Sequence, residues 1–283
     1  MSGNAGKQQM TARKQGTSPS ALTTKFKTPK KNHTKGPSKT KAPKKRVQPV
    51  ESAIESVAAT EQYGAFQGST MHDLGGGCAV LTLMHMAIEM LLSAAVDYVS
   101  QPGVLEYDRQ FKMVHMCTRH RGEGFFTKLI LRGYAFSKAT VTAKPLHPTL
   151  AALLDEVNKL VPGDPFSAVF VNDYRDQYDS IGKHSDKDVA DDETVGVIAV
   201  SYGVSRIVTF RPLDANNKEL KMARIPTTHG QTLVMHGANF QKLFSHEIVG
   251  KDIKKKPPSD PAALAADAPE RRVSFTFRRH HGA

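Results

Sequence analysis

The sequence predicts an α+β domain in which helices precede a β-sandwich. Two stretches before residue 166, 79–98 and 150–160, have apolar residues at helical spacing. From residue 166 onward, short runs rich in Val, Ile, Phe and Thr are separated by Gly, Pro, Asn and Asp clusters, a pattern typical of strands. Because helices come first and strands afterwards, we expect the helices to pack on one side of the sandwich.

The predicted elements follow one another in a simple order. The second helix has Pro148 at its start and ends before Pro162-Gly163. Six strands are then predicted, at 166–171, 195–201, 206–211, 232–236, 243–249 and 272–278. The stretch 251–270, rich in Lys, Pro, Ala and Asp, is predicted to be an exposed loop between the last two strands.

Residues 1–50 have a different composition from the rest of the chain. They carry 13 of the 39 Lys and Arg residues and no Asp or Glu, so 26 basic and 27 acidic residues remain elsewhere. With few large apolar residues, we expect a disordered tail over 1–60, followed by a folded domain over 61–283. The run KTKAPKKR at 39–46 indicates a nuclear localisation signal, a nucleic-acid tether or both; a solubilising tail is the alternative. We therefore expect a nuclear protein, with the cytoplasm as the alternative.

The cysteines and apolar segments exclude several classes of protein. Cys78 and Cys117 are the two cysteines of the chain, which is too few for a disulfide framework and fits a reducing compartment. The longest apolar stretch, 78–99, contains three ionisable residues, which argues against a membrane span. No apolar signal segment follows Met1. We expect a monomer that is not secreted, binds no membrane and has no disulfide partner.

A His-x-Asp motif is the strongest chemical signal in the sequence. His184 and Asp186 lie at i and i+2, so in an extended segment both side chains share a face and reach one metal ion. A third ligand must come from another strand, and His246 in LFSHEIV competes with His236 in LVMHGAN for that role. Two histidines and one carboxylate form the facial triad that holds non-haem Fe(II). Short strands that carry such a triad predict a jelly-roll core at about 165–280.

Two arginines near the end of the sequence add to this pattern. Arg272 and Arg278 form an Arg-x5-Arg motif in RRVSFTFRR. An arginine beyond the distal histidine suits a dicarboxylate, because the planar guanidinium pairs with a carboxylate through two hydrogen bonds. The combination predicts a 2-oxoglutarate-dependent oxygenase. A structural zinc site is a weaker alternative, since two His and one Asp leave a coordination position open.

Further motifs surround the triad. Asn172-x-Tyr174 precedes it, and the ordered elements read VNDYRDQYDSIGKHSDKD, LFSHEI and RRVSFTFR. With these elements the sequence, over roughly residues 115–280, resembles the AlkB family of nucleic-acid dealkylating oxygenases. The resemblance implies a double-stranded β-helix (jelly-roll) core that uses Fe(II), 2-oxoglutarate and O2. It further implies oxidative demethylation of bases such as 1-methyladenine and 3-methylcytosine in DNA or RNA, with formaldehyde, succinate and CO2 as products.

The resemblance also implies a role for each matching residue. The iron ligands and catalytic centre would be His184, Asp186 and His246. The residues that bind 2-oxoglutarate would be Arg272 at the distal carboxylate, Arg278 at the C1 carboxylate, and Asn172, Tyr174 and Ser274 as hydrogen-bonding groups. Ser274 stands where many members have Asn. As substrate-binding residues, Asp188 matches a position that in some members contacts the exocyclic nitrogen of the damaged base, and Tyr134 falls near the family's substrate-lid tyrosines.

Two other functions share part of this pattern. A 2-oxoglutarate oxygenase that acts on a protein side chain would have the same triad and an arginine. Asn172-x-Tyr174 together with Arg-x5-Arg favours a nucleic-acid substrate over that alternative. A non-enzymatic jelly roll that binds nucleic acid would not need all three metal ligands, so the complete triad argues against it.

Overall fold

The fold contains sixteen strands and three helices among the residues that the computed structural model describes. Those residues are 56–58, 66–107, 119–128, 133–136, 139–161, 163, 166–186, 194–250 and 269–279. The elements of the first half are β1 (Ser56–Ala58), β2 (Thr70–Gly75), β3 (Cys78–Met84), α1 (Met86–Val99), β4 (Arg119–His120), β5 (Gly122–Thr127), β6 (Tyr134–Phe136), β7 (Ala139–Val141), β8 (Ala143–Pro145) and α2 (Pro148–Asn158). The second half contains β9 (Ala168–Tyr174), β10 (Asp179–His184), β11 (Val195–Gly203), β12 (Arg206–Pro212), β13 (Ala223–Thr227), β14 (Gln231–His236), α3 (Phe240–Leu243), β15 (Phe244–Ile248) and β16 (Arg272–Arg278).

Two sheets contain most of these strands. The larger sheet has the order β1-β2-β3-β14-β11-β16-β9-β5-β8, and the smaller one has the order β13-β12-β15-β10-β4. Strands β9 to β16 form the centre, where β14-β11-β16-β9 and β13-β12-β15-β10 are two four-stranded antiparallel groups. Except between β12 and β13, each successive strand of this group lies in the other sheet. This arrangement is consistent with a jelly-roll core.

Strand β16 separates two kinds of environment. All seven of its residues are buried, and successive side chains point to opposite faces of the sheet. Val273, Phe275 and Phe277 belong to the apolar core beneath the helices. The four alternate residues, Arg272, Ser274, Thr276 and Arg278, line a cavity on the other face. The even spacing of the two arginines therefore places both in that cavity.

Helices α1 and α2 cover the apolar face of the larger sheet. Their buried residues, Ile88, Leu92, Ala95, Val96 and Val99 in α1 and Leu150, Leu153, Leu154 and Val157 in α2, join one cluster with Val273 and Phe275 of β16. Helix α2 begins as its sequence predicts, because Pro148 occupies the first turn and the Nδ1 of His147 accepts a hydrogen bond from the backbone N–H of Thr149 at 3.3 Å.

The helix predicted at 79–98 is wrong in its first part. Residues Cys78–Met84 form β3, which pairs antiparallel with β14, and α1 begins only at Met86. Ala79, Val80, Leu81 and Thr82 are all buried. A continuous apolar run of this length fits a fully buried strand as well as a helix, so the spacing of apolar residues alone does not distinguish them.

Each of the six strands predicted in the second half has a counterpart in the structure, but two strands of the central group were not predicted. Strand β10 reads DSIGKH and β13 reads ARIPT. The first is mostly polar: Gly182 and Lys183 are exposed, and His184 lines the cavity. The second contains Pro226, which a strand accommodates at the edge of a sheet, and β13 is such an edge.

Three predictions fall wholly or partly outside the described residues. Strand β1 lies within residues 1–60, so strand structure begins before the predicted boundary at residue 61, and residues 1–55 are not described. The predicted loop is described only at 269–270. Cys78 is a free, buried thiol, whereas Cys117 lies outside the described ranges. None of the described helices has the length and hydropathy that a membrane span needs.

A buried ion pair joins the larger sheet to the end of α1. Arg271 donates from Nε to Asp173 Oδ1 at 3.0 Å and from Nη2 to Asp173 Oδ2 at 2.8 Å, and both side chains are fully buried. The Tyr107 hydroxyl donates to the same carboxylate at 2.7 Å. Arg271 Nη1 donates to Ser100 Oγ at 2.8 Å. The pair lies on the helix side of β9 and β16, opposite the cavity.

We expect Asp173→Ala to destabilise the fold by about 3–5 kcal/mol, because it leaves the buried Arg271 guanidinium without its carboxylate. The matched control is Asp155→Ala, which breaks the exposed 3.3 Å pair between Lys128 and Asp155. That change should cost less than about 1 kcal/mol. Urea unfolding followed by circular dichroism measures both, and equal losses for the two variants would contradict the account.

Candidate active site

The register of two strands in the smaller sheet brings the predicted metal ligands together. His184 at the end of β10 is the direct cross-strand partner of His246 in β15. Asp186 follows two residues later, and its Oδ2 lies 3.7 Å from His246 Nε2. Donor atoms of the three side chains all lie within 4.8 Å of one another, so the cluster could hold a metal ion. Strand pairing thus brings Asp186 and His246, which are far apart in the sequence, close together in space.

Three hydrogen bonds hold the His-x-Asp segment in place. The Asp186 backbone N–H donates to Gln241 Oε1 at 2.9 Å, and Ser185 Oγ donates to the Phe244 carbonyl at 2.9 Å. His184 Nδ1 lies 2.9 Å from the Gly182 carbonyl. A ring that donates through Nδ1 keeps its other nitrogen unprotonated, which is the form that binds a metal ion. Gln241 was not predicted, because its role depends on how close α3 lies to the end of β10.

Burial and neighbouring charges set the protonation of the triad. Burial lowers the pKa of His246 to about 3, aided by the adjacent His184 ring and opposed by Asp186. Burial also lowers the pKa of His184. For Asp186, burial alone would raise the pKa, but the positive charge of Arg278 and the two histidines lower it below the ordinary value. At neutral pH the cluster therefore presents two neutral imidazoles and one carboxylate.

A cavity between the two sheets contains the triad and the predicted co-substrate residues. The unfilled space within this cavity and at its open mouth is about 690 Å³. Its polar lining residues include the triad together with Arg121, Tyr134, Asn172, Tyr174, Ser201, Arg272, Ser274 and Arg278. Leu233, Met235 and Val208 supply part of its apolar wall. A mostly enclosed cavity with a few convergent polar groups is typical of a small-molecule site.

The register of three strands explains why the polar residues share this cavity. Across β9, β16 and β11, Asn172 pairs with Ser274, and Ser274 pairs with Ser201. In the same way Tyr174 pairs with Arg272. Since directly opposed side chains lie on the same face of a sheet, these residues form two adjacent polar rows on the cavity wall.

Arg272 differs from the other buried arginines of the described chain. Arg121 pairs with Glu123, Arg175 with Asp179, Arg271 with Asp173 and Arg278 with Asp186. No carboxylate among the described residues pairs with Arg272. Its Nη2 donates to Ser201 Oγ at 3.0 Å, and its guanidinium lies over the Tyr174 ring at 5.3 Å.

The remaining donors of Arg272 indicate a site for an anion. The Arg272 side chain is only 2% exposed. Its buried Nε and Nη1 nevertheless have no hydrogen-bond partner among the described groups. Burial lowers the pKa of Arg272 to about 10, so the guanidinium is still protonated at neutral pH. An unsatisfied buried cation is costly, and a carboxylate ligand would remove that cost.

Arg278 has a carboxylate partner within the triad itself. Its Nη1 lies 3.0 Å from Asp186 Oδ1 and also donates to the Tyr134 hydroxyl. The Tyr134 hydroxyl is 3.4 Å from the same Asp186 oxygen. Tyr134 is therefore buried beside the triad. The pairing of Arg278 with Asp186 was not predicted, since the spacing of the motif does not show which carboxylate lies nearest.

Other predicted and unpredicted residues have clear positions. The group of side chains that could hold a metal ion contains His246 and does not contain His236. Asp188 lies outside the described residues. Arg121 was not predicted but lines the cavity, and its Nε donates to Asn172 Oδ1. The signal that could have found it is a charged residue directly before the glycine-rich strand GEGFFT.

Comparison with known proteins adds a family to this geometry. The chain is 35% identical to the DNA oxidative demethylase ALKBH2 of Bos taurus over 151 residues, which is 52% of this chain and 48% of that protein. It is 34% identical to the Homo sapiens ALKBH2 over 151 residues, 52% of this chain and 51% of that protein. It is 28% identical to the Homo sapiens alpha-ketoglutarate-dependent dioxygenase alkB homolog 3, over 51% of this chain and 47% of that protein. The chain is thus similar to proteins of the AlkB family.

The extent of these similarities is limited. The chain spans about half the length of the curated relatives that it matches. No protein-family model matches the chain. The solved structure described as "The structure of OsALKBH1" aligns with a TM-score of 0.44 and 15% identity, covering 74% of this chain and 100% of that one.

We expect the metal affinity of this chain to depend little on pH in the weakly acidic range. Two imidazoles with ordinary pKa values would lose about a hundredfold in affinity between about pH 7.5 and about pH 5.5, because protons compete for the ligand atoms. Burial lowers both histidine pKa values here, so the loss should be less than about tenfold. Calorimetric titration with Mn(II) measures this, with circular dichroism as the control for folding. A hundredfold loss by a folded protein would show that the imidazoles titrate normally.

Proposed function

We propose that this chain is an Fe(II)- and 2-oxoglutarate-dependent dioxygenase. In this proposal it oxidatively demethylates N-alkylated bases of the 1-methyladenine and 3-methylcytosine type in DNA or RNA. The observation that carries the proposal is the buried Arg272 guanidinium, which has no carboxylate partner among the described residues and lines the same cavity as a His-Asp-His cluster. A metal site and an anion site in one enclosed cavity suit a metal-bound oxo-acid with a second, distal carboxylate.

The triad has the chemistry that Fe(II) requires. His184, Asp186 and His246 would hold the ion, and the Oδ2 of Asp186 and the Nδ1 of His246 are buried with no hydrogen-bond partner among the described atoms. Two imidazoles and one carboxylate leave coordination positions open for the co-substrate and O2. When bound, iron supplies the activation of O2 that oxidises the alkyl carbon on the base. The resulting hemiaminal releases formaldehyde, while 2-oxoglutarate becomes succinate and CO2.

Residues of the cavity wall would bind and orient 2-oxoglutarate. Arg272 would pair with the distal carboxylate, since its donors are desolvated before the ligand arrives and lose little further hydration on binding. Asn172, Tyr174 and Ser274 would hydrogen-bond the co-substrate from adjacent positions in the sheet. Arg278 would lie at the C1 carboxylate, because its pairing with Asp186 holds its guanidinium beside the metal ligands.

The substrate class rests on the relatives. Those with the higher identities are named DNA oxidative demethylase, which supports a nucleic-acid substrate for this chain. We propose Tyr134 and Asp188 as substrate contacts, with the Asp188 carboxylate favouring a cationic methylated base. A base in a duplex must leave its stack to reach an enclosed cavity, so a single strand should be the easier substrate.

The basic N-terminal residues would add affinity for nucleic acid. Residues 1–50 carry 13 basic residues and no acidic ones. Such a segment binds phosphates without sequence preference. We also propose, on the run KTKAPKKR at 39–46, that the protein is nuclear, with the cytoplasm as the alternative.

We expect the full chain with Fe(II), 2-oxoglutarate and O2 to remove one methyl group from oligonucleotides that carry 1-methyladenine or 3-methylcytosine. His184→Ala should abolish turnover. Arg272→Ala should raise the KM for 2-oxoglutarate by about 10- to 100-fold, because charge-assisted hydrogen bonds are lost. Mass spectrometry of the oligonucleotide follows the reaction, and Arg224→Ala, which removes an exposed arginine of β13, is the matched control.

Two outcomes would count against parts of this proposal. If the wild type leaves the bases unchanged but still converts 2-oxoglutarate to succinate, and Arg272→Ala stops that conversion, the nucleic-acid substrate is wrong. If Arg272→Ala and Arg224→Ala behave alike, Arg272 does not bind the co-substrate.

We expect deletion of residues 1–50 to weaken binding to single-stranded DNA and to flatten the dependence of log Kd on log salt concentration. The reason is that each lysine or arginine paired with a phosphate releases a counterion. Turnover on short oligonucleotides should be unchanged. Fluorescence anisotropy at several salt concentrations measures the slopes, and equal slopes for the full and shortened chains would contradict the expectation.

A further inference from the structure

Arg121 lies where the chain crosses from one sheet to the other. Strand β4, directly before it, pairs with β10 of the smaller sheet, and β5, directly after it, pairs with β9 of the larger sheet. The Arg121 side chain is only 2% exposed and lines the cavity that contains the triad. A buried arginine at this crossing needs fixed partners, since its charge is removed from water.

Close packing around β5 fixes one of those partners, Glu123. The backbone N–H and carbonyl of Glu123 exchange hydrogen bonds of 2.8 Å with Glu106. The flanking Gly122 and Gly124 allow this approach, because a Cβ at either position would lie 2.3 Å from the Tyr107 ring or 2.6 Å from Leu105. Glu123 Oε1 lies 3.0 Å from Arg121 Nη2, and the two side chains are 1% and 2% exposed.

The second partner of Arg121 is Asn172. Arg121 Nε donates a hydrogen bond to Asn172 Oδ1. A guanidinium has donors only, so the atom it contacts must be the amide oxygen, and the orientation of the amide is fixed. The amide nitrogen, which is a donor, is then the group left to interact with a ligand acceptor. Asn172 is the cross-strand neighbour of Ser274 on the cavity wall.

We propose that Arg121 is a positioning residue for the co-substrate, which holds the Asn172 amide so that its N–H groups face the carboxylate-bearing ligand. This inference rests on the proposed function. Arg121 itself does not supply a free positive charge to the ligand, because Glu123 neutralises it, whereas Arg272 has no such carboxylate within the part of the chain that the structure describes. The two arginines thus have different tasks in one cavity: Arg272 binds the anion, and Arg121 orients a neutral donor.

The test is a double-mutant cycle on the affinity for 2-oxoglutarate. Removing Arg121 alone would take from the buried Glu123 carboxylate the cation that lies 3.0 Å away, so every protein of the cycle carries Glu123→Gln. The four proteins are that single variant, its combinations with Arg121→Met and with Asn172→Ala, and the triple variant. Calorimetry gives the Kd for 2-oxoglutarate with the Mn(II)-loaded proteins, and thermal unfolding shows that each is folded.

If Arg121 acts through Asn172, each of the two changes weakens binding by about tenfold, and the triple variant is no weaker than either. The inference would be overturned if the losses in 2-oxoglutarate affinity from Arg121→Met and Asn172→Ala multiplied in the triple variant. It would also be overturned if Arg121→Met, combined with Glu123→Gln, bound 2-oxoglutarate as tightly as Glu123→Gln alone. Binding of 2-oxoglutarate by the wild-type protein shows whether such a result overturns only this inference or the proposed function as well. A wild type that binds 2-oxoglutarate leaves the co-substrate assignment intact, whereas one that does not bind it overturns both.

Discussion

The alternation of side chains along β16 is the constraint on which the rest of the structure depends. This strand is buried on both faces, so one set of side chains must be apolar and the other must be satisfied within the protein or by a ligand. Val273, Phe275 and Phe277 meet the apolar requirement beneath the helices. Arg272, Ser274, Thr276 and Arg278 place two charges and two hydroxyls on the opposite face. A shift of one residue in register would exchange the two sets and place both arginines in the apolar core.

The charges of the cavity are arranged in pairs with one exception. Arg278 and Asp186 neutralise each other beside the histidines, and Arg121 and Glu123 do so at the crossing between the sheets. On the opposite face of the larger sheet, Arg271 and Asp173 form a third pair. Arg272 is left with donors that no described group satisfies. This imbalance would be costly in a purely structural cavity and is useful in one that binds a dianion, so electrostatics connects the fold to the proposed chemistry.

Much of the site could be predicted from the sequence, because its residues lie at spacings that sheet geometry interprets directly. His184 and Asp186 are two apart, Asn172 and Tyr174 are two apart, and Arg272 and Arg278 are six apart, so each pair shares a face. The strand-like residues around His246 favour it over His236 as the third ligand, and His246 is the one that lies beside His184 and Asp186. Long-range pairing was less accessible. No local pattern shows that Arg278 meets Asp186, that Gln241 holds the Asp186 backbone, or that Arg121 reaches Asn172, since each contact joins elements far apart in the chain.

The sequence also predicts most strands of the second half of the fold, but not all of them. The apolar strands of the second half were found because their composition is typical of buried strands, whereas the polar β10 and the proline-containing edge strand β13 were missed. The run 78–84 was taken for a helix because burial on both faces removes the alternation that identifies a strand.

The most direct test of the central claim is a crystal structure of the full chain with Mn(II) and 2-oxoglutarate. The account predicts the metal ion on His184, Asp186 and His246, with the distal carboxylate of 2-oxoglutarate hydrogen-bonded to Arg272. A structure in which the ligand carboxylates avoid Arg272, or in which the ion binds without His246, would contradict it.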